Sequence, residues 1–119
     1  MALISSFLSW LMKKRMHQIE LFMRYPEEVQ QELFKRLIQG GRQTEWGMKY
    51  GYESIRTVEE FRERVPVSDY DQLKPYIDRL RNGEQRILWG SDIKWFAKSS
   101  GTTSDRSKFI PVSQEALEE

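Results

Sequence analysis

The chain has 119 residues, enough for one small domain or part of a larger one. Its formal net charge is +1 with both signs mixed along its length, which excludes a basic nucleic-acid arm or an acidic tail, and its 13% aromatic content argues against intrinsic disorder. Cysteine is absent, so disulfides and thiolate metal sites are excluded, and a cytoplasmic location is the expectation.

The first predicted element is a helix from Ala2 to Arg24. Ile4, Leu8, Leu11, Arg15, Ile19 and Phe22 recur at steps of three and four and form one mostly apolar stripe. The apolar run Ala2 to Met12 precedes Lys13, Lys14 and Arg15, the reverse of a secretory signal. It is also shorter than the roughly 20 residues that cross a bilayer, so no membrane span is expected. Packing against the body of the protein is the expected use of this helix, with an interfacial helix as the alternative. The short Lys13-Lys14-Arg15 cluster reads as a solvated face rather than a nucleic-acid contact. The lone His17 reads as a surface or half-buried side chain rather than a metal ligand.

Tyr25-Pro26 ends the first helix, because the residue before proline is pushed out of the helical region. Pro26 then opens a second helix with Glu27 and Glu28 in its first turn. Val29, Leu33 and Leu37 are its expected buried face, and Gly40-Gly41 its stop. Thr44 to Tyr50 reads as a short helix closed by Gly51. Thr57-Val58-Glu59-Glu60 fits a capping box, with Val58, Phe61 and Val65 on one face and Pro66 as the stop. Ser68 to Asp71 is another helix-start signal, but Pro75 predicts a turn there, with the helix running only from about Pro75 to Arg81. Asn82-Gly83 stops it.

After Gly83 the period changes. Ile93, Trp95 and Ala97 alternate with Lys94, Phe96 and Lys98, which is strand spacing. Lys108 to Ile110 reads as a second strand pairing across a loop from Ser99 to Ser107. Ser113 to Leu117 starts a further helix. The fold class is therefore α+β: N-terminal helices followed by a β-hairpin. Residues 1–119 are expected to be the N-terminal part of one larger domain, with apolar helix faces whose partners lie outside these residues.

Ser99-Ser100-Gly101-Thr102-Thr103-Ser104-Asp105-Arg106-Ser107-Lys108 carries the candidate chemistry. Gly101 lets backbone approach a ligand closely, while hydroxyls and consecutive loop amides can donate to phosphate oxygens. Lys108 adds a mobile charge, and Arg106 is a second candidate. The common nucleotide-triphosphatase loop is excluded, because Gly101 precedes Lys108 by seven residues and Lys108 lacks the flanking Gly and Ser/Thr. Taken alone, such a segment can equally be a plain turn. The neighbouring Trp89, Trp95 and Phe96 can line a substrate pocket or simply fill a core.

The loop resembles the phosphate-binding signature of adenylate-forming enzymes, and its spacing is similar to the Gretchen Hagen family of acyl acid amido synthetases, the auxin-responsive promoter family. The resemblance extends over Thr44-Glu45-Trp46-Gly47, Tyr50-Gly51-Tyr52, Phe61 to Val67, Asp69-Tyr70, Leu73 to Ile77, Gly83-Glu84, Phe96 to Thr103 and Lys108-Phe109-Ile110-Pro111, in the family's order. It implies an enzyme using ATP and magnesium to adenylate a carboxylic acid and then couple it to an amino acid. It implies phosphate binding by Ser99, Ser100, Thr102 and Thr103, a turn at Gly101, and a supporting role for Lys108. Asp105 stands where many relatives have glycine, and either points outward or helps position magnesium. The groups for adenine, ribose and most of the acid lie downstream in that family, so this stretch alone is expected to be inactive. A noncatalytic helical interaction module is the alternative, and an acyl-CoA ligase fragment the third reading, disfavoured by the loop spacing.

Overall fold

The computed structural model describes residues 1–101 and 106–118. The chain divides into two compact units, Met1–Lys35 and Arg36–Glu119. Its elements are α1 (Ala2–Arg24), α2 (Pro26–Gly41), α3 (Glu45–Lys49), a 3-10 turn (Tyr52–Ser54), α4 (Val58–Arg64), α5 (Tyr70–Arg81), β1 (Trp95–Lys98), β2 (Phe109–Val112) and α6 (Gln114–Glu118).

In the first unit α1 ends as the sequence predicts. Tyr25 leaves the helical region, and its amide still donates to Leu21. None of the residues of α1 is buried. On α2 the expected face is only partly realised: Val29 and Leu33 are half-buried, whereas Leu37 is 48% exposed. The buried residues at its C-terminal end are Ile38 and Gly41 instead, which lie well round the helix from Val29 and Leu33.

In the second unit Thr44 caps α3. Its hydroxyl accepts from the Gly47 amide at 2.9 Å and donates to the Gly41 carbonyl at 2.6 Å, and the residue is completely buried. The first-turn amides of a helix lack intrahelical partners. Here Glu45 donates to the Arg86 carbonyl and Trp46 to that of Ile87, at 2.9 and 3.0 Å. Two helical amides thus anchor the irregular segment that follows α5. Gly47 is obligatory at this contact, because a Cβ there would lie 2.0 Å from the Gly41 carbonyl oxygen.

At α4 the Thr57 hydroxyl accepts from the Glu60 amide at 3.2 Å. The Glu60 carboxylate reaches back one residue further than a capping box requires and accepts from the Arg56 amide at 2.7 Å. Val58, Phe61 and Val65 are all half-buried, as their spacing predicts.

The turn expected before Pro75 does not form. α5 runs unbroken from Tyr70 to Arg81 with Pro75 inside it. A complete capping box starts it: Asp69 accepts from the Gln72 amide, and Gln72 accepts from the Asp69 amide, both at 2.9 Å. Proline in a helix interior costs about 3 kcal/mol. Ile77 and Leu80 are buried on the same helix, and burial of each aliphatic side chain contributes about 1.5–3 kcal/mol. Pro75 itself is exposed, so water can reach the backbone it disturbs. Burial and capping therefore outweigh the proline.

Leu80, Ile87 and Ile93 form the core cluster, with Tyr76, Leu88, Trp89 and Phe96 packed against it. Antiparallel β1 and β2 pair Trp95 with Val112, Phe96 with Pro111, Ala97 with Ile110 and Lys98 with Phe109. The second strand thus starts one residue after Lys108 and runs two beyond Ile110. Of the alternating residues, Phe96 is half-buried, whereas Trp95 and Ala97 are exposed.

Candidate functional site

The hairpin carries the Ser/Thr-rich segment at its tip, and Ser99 and Lys108 close its base. The Ser99 amide donates to the Lys108 carbonyl at 2.9 Å, and the Lys108 amide donates to the Ser99 hydroxyl at 2.9 Å. Ser99 is therefore occupied in shaping the loop, and its hydroxyl keeps one donor for a further partner. Ser100 and Gly101 are exposed beyond this closure, as are Arg106 and Ser107 on the return. Thr102, Thr103 and Asp105, named from the sequence, lie outside the described residues.

Two side chains that the motif did not single out hold the hairpin against the helices. The Tyr70 hydroxyl, at the first position of α5, accepts from the Phe109 amide at 2.9 Å and donates to the Phe109 carbonyl at 3.1 Å. At the entry to β1, Gln85 accepts from the Ile93 amide at 2.8 Å and donates to the Ile93 carbonyl at 3.0 Å. Each supplies the donor and acceptor that a neighbouring strand would have supplied. Asp69-Tyr70 carried the family resemblance for Tyr70, although its role could not be read there. Nothing in its sequence setting marks Gln85.

Cations gather around the same end of the hairpin. The Lys108 ammonium lies 5.6 Å from the centre of the Tyr70 ring, and the Lys98 ammonium lies 5.8 Å from that of Phe109. The Arg81 guanidinium stacks on Phe109 at 3.7 Å. Arg81 is also ion-paired with Asp78 at 3.7 Å. Among the described residues no group of three or more His, Asp or Glu side chains could hold a metal ion.

Trp89 and Phe96 pack against the core cluster, whereas Trp95 is 46% exposed. Trp89 fills the space over Gly40, where a Cβ would lie 2.6 Å from its ring. An open cleft of about 360 Å³, lined by Arg42, Arg86, Trp89 and Glu115 among others, includes none of the loop's described residues. At its edge the Ser91 hydroxyl donates to Glu115 at 2.9 Å. The Glu115 carboxyl is held below the usual carboxylate range, first by the residue's own backbone amide and then by Ser91. No helix among the described residues is long and apolar enough to cross a membrane.

Helices leading into an antiparallel hairpin with a serine-glycine tip and a closing lysine define an α+β segment of the kind the sequence resemblance anticipated. Residues 15–119 match the GH3 family N-terminal domain, and the chain belongs to that family. It is 32% identical over 92 residues to a jasmonoyl–L-amino acid synthetase, JAR6, of Nicotiana attenuata, covering 76% of this chain and 16% of that protein. It is 31% identical over 106 residues to the indole-3-acetic acid-amido synthetase GH3.2 of Arabidopsis thaliana, covering 88% of this chain and 19% of that one. A rice indole-3-acetic acid-amido synthetase, GH3.8 of Oryza sativa subsp. indica, is 32% identical over 93 residues, covering 77% and 15%. The chain thus spans less than a fifth of the length of these relatives.

Proposed function

We propose that this chain supplies the ATP-phosphate loop of an adenylate-forming acyl acid amido synthetase, as the N-terminal part of its large domain. The observation that carries the reading is the hairpin closure at Ser99 and Lys108, beyond which Ser100 and Gly101 are exposed. The relatives are named as jasmonoyl–L-amino acid and indole-3-acetic acid-amido synthetases, and the substrates proposed here are a carboxylic acid and an amino acid.

In the proposed reaction a carboxylate oxygen attacks the α-phosphorus of ATP, and the bond to the bridging oxygen breaks to release pyrophosphate. The amino acid's amine then attacks the acyl carbonyl and displaces AMP, losing its proton. The chain's residues act on the first step. The hydroxyls of Ser99, Ser100, Thr102 and Thr103 would donate to phosphate oxygens, with Gly101 allowing their close approach. Lys108 would offset the charge that grows on the departing pyrophosphate. Magnesium accompanying ATP would be met by phosphate oxygens and water, with Asp105 as the loop's own candidate carboxylate.

The test uses a full-length protein carrying this chain and follows acid-dependent exchange of labelled pyrophosphate into ATP. Ser100→Ala or Thr102→Ala should each lose about ten- to a hundredfold, corresponding to about 1.5–3 kcal/mol for a donor to a charged group. Lys108→Ala should lose at least as much. Asp105→Gly should damage exchange if that carboxylate meets magnesium, and leave it intact if the side chain points outward. Undiminished exchange in the Ser100, Thr102 and Lys108 triple variant would exclude this loop as the phosphate site. It would leave only the family resemblance of the flanking segments.

A further inference from the structure

We propose that the first turns of α1, residues 2–15, bind in the plane of an anionic lipid surface. At roughly 100° per residue, Trp10, Leu3, Phe7, Leu11, Ile4, Leu8 and Met12 cover an apolar sector about 200° wide through Met12, which Lys14 and Arg15 then close at the next turn. Every one of these side chains is exposed, from 46% at Leu11 to 87% at Leu3. The remaining sector, about 160° wide, holds Ala2, Ser5, Ser6, Ser9 and Lys13. Small uncharged hydroxyls opposite bulky apolar side chains suit a helix lying at the boundary of headgroups and acyl chains.

The charge distribution selects the sign of the surface. Lys13, Lys14 and Arg15 follow directly, and no Asp or Glu occurs before Glu20. Lys14 sits 5.6 Å from the centre of the Trp10 ring, and Phe7 stacks on Trp10 at 6.1 Å. A tryptophan beside a lysine matches the depth where ring and ammonium meet acyl chains and phosphates, and long cationic stems can reach outward to the headgroups. A second copy of the chain is a poorer occupant. A helix-pairing seam is narrower than this sector and carries complementary charges along its flanks, where this helix carries serines. The GH3 family match begins at residue 15, so the apolar turns precede the shared domain.

The experiment is flotation of a full-length protein carrying this chain with vesicles of phosphatidylcholine, with and without phosphatidylserine. The protein should float with the anionic vesicles and much less with the neutral ones. Replacing Lys13, Lys14 and Arg15 by Ser should weaken binding to anionic vesicles about a hundredfold. The Leu8→Glu, Leu11→Glu double variant should not float at all. Because a variant can fail for other reasons, the unaltered protein provides a second readout: its tryptophan emission should shift to the blue on anionic vesicles. Trp10→Phe should lose most of that shift while still floating. Absence of flotation by the unaltered protein overturns the proposal, as does equal binding to neutral vesicles or unchanged binding by the double variant. A concentration-dependent dimer that Leu8→Glu, Leu11→Glu dissociates, with no flotation, assigns the face to a second copy instead.

Discussion

The Tyr70 hydroxyl engages both backbone polar groups of Phe109, a residue 39 positions further along the chain. It joins the first turn of α5 to the first residue of β2, directly beside Lys108. A two-stranded hairpin is marginal on its own, so this link bears on both the stability and the placement of the loop.

Tyr70→Phe keeps the ring beneath Lys108 and removes both hydrogen bonds. It should cost about 1–3 kcal/mol, because the Phe109 amide and carbonyl lose their partner in a half-buried setting. Hydrogen exchange at the Phe109 amide should accelerate selectively, while the amides of Gly47 and Gln72 keep their protection. Uniform acceleration across the unit would show that the hydroxyl acts on global stability and not on the hairpin.

Gly47 and Gly83 make a contrasting pair. A Cβ at Gly47 would sit 2.0 Å from a backbone oxygen that cannot move cheaply, whereas at Gly83 it would meet nothing within 4 Å. Gly47→Ala should therefore cost at least about 2–3 kcal/mol through forced backbone displacement. Gly83→Ala should cost about 1 kcal/mol, owing to its φ of 100° alone. Urea denaturation of both variants measures the difference, and equal costs would contradict the packing of α3 against the Gly41 carbonyl.

Pro75→Ala tests whether α5 is continuous. The replacement restores an amide able to donate to the Asp71 carbonyl within a helix already formed from Tyr70 to Arg81. The variant should gain about 1–2 kcal/mol, the removed proline penalty less the greater freedom of the unfolded chain. Destabilisation on thermal unfolding would indicate that Pro75 terminates a turn.

The Ser91–Glu115 contact should respond to acid. The lowered carboxyl of Glu115 stabilises the folded chain above the ordinary glutamate value, and that contribution disappears as pH falls through the lowered folded value. It should therefore be complete at neutral pH and be lost as pH falls from the ordinary glutamate value through the lowered one. Carbon NMR titration of the Glu115 carboxyl should show this, and Ser91→Ala should move its midpoint upward. An unchanged midpoint in that variant would remove Ser91 as a cause.

Local signals sufficed for much of the chain. The end of α1 at Tyr25-Pro26, the caps at Thr44 and Thr57, the left-handed Gly51 and the stop at Asn82-Gly83 each depend on interactions within a few residues, so they are legible in the sequence. The Ser99 to Lys108 motif and the family resemblance were legible for the same reason: they are patterns of residue type and spacing. Long-range contacts decided the rest. Pro75 stays in a helix whose Ile77 and Leu80 are buried, Leu80 in a cluster with Ile87 and Ile93. Ile38 displaces Leu37 from the buried face because helical periodicity states which residues align and not which direction the core lies. Tyr70 and Gln85 became visible only once folding brought them to Phe109 and Ile93, since one side chain satisfying both backbone groups of a remote residue leaves no local period or motif.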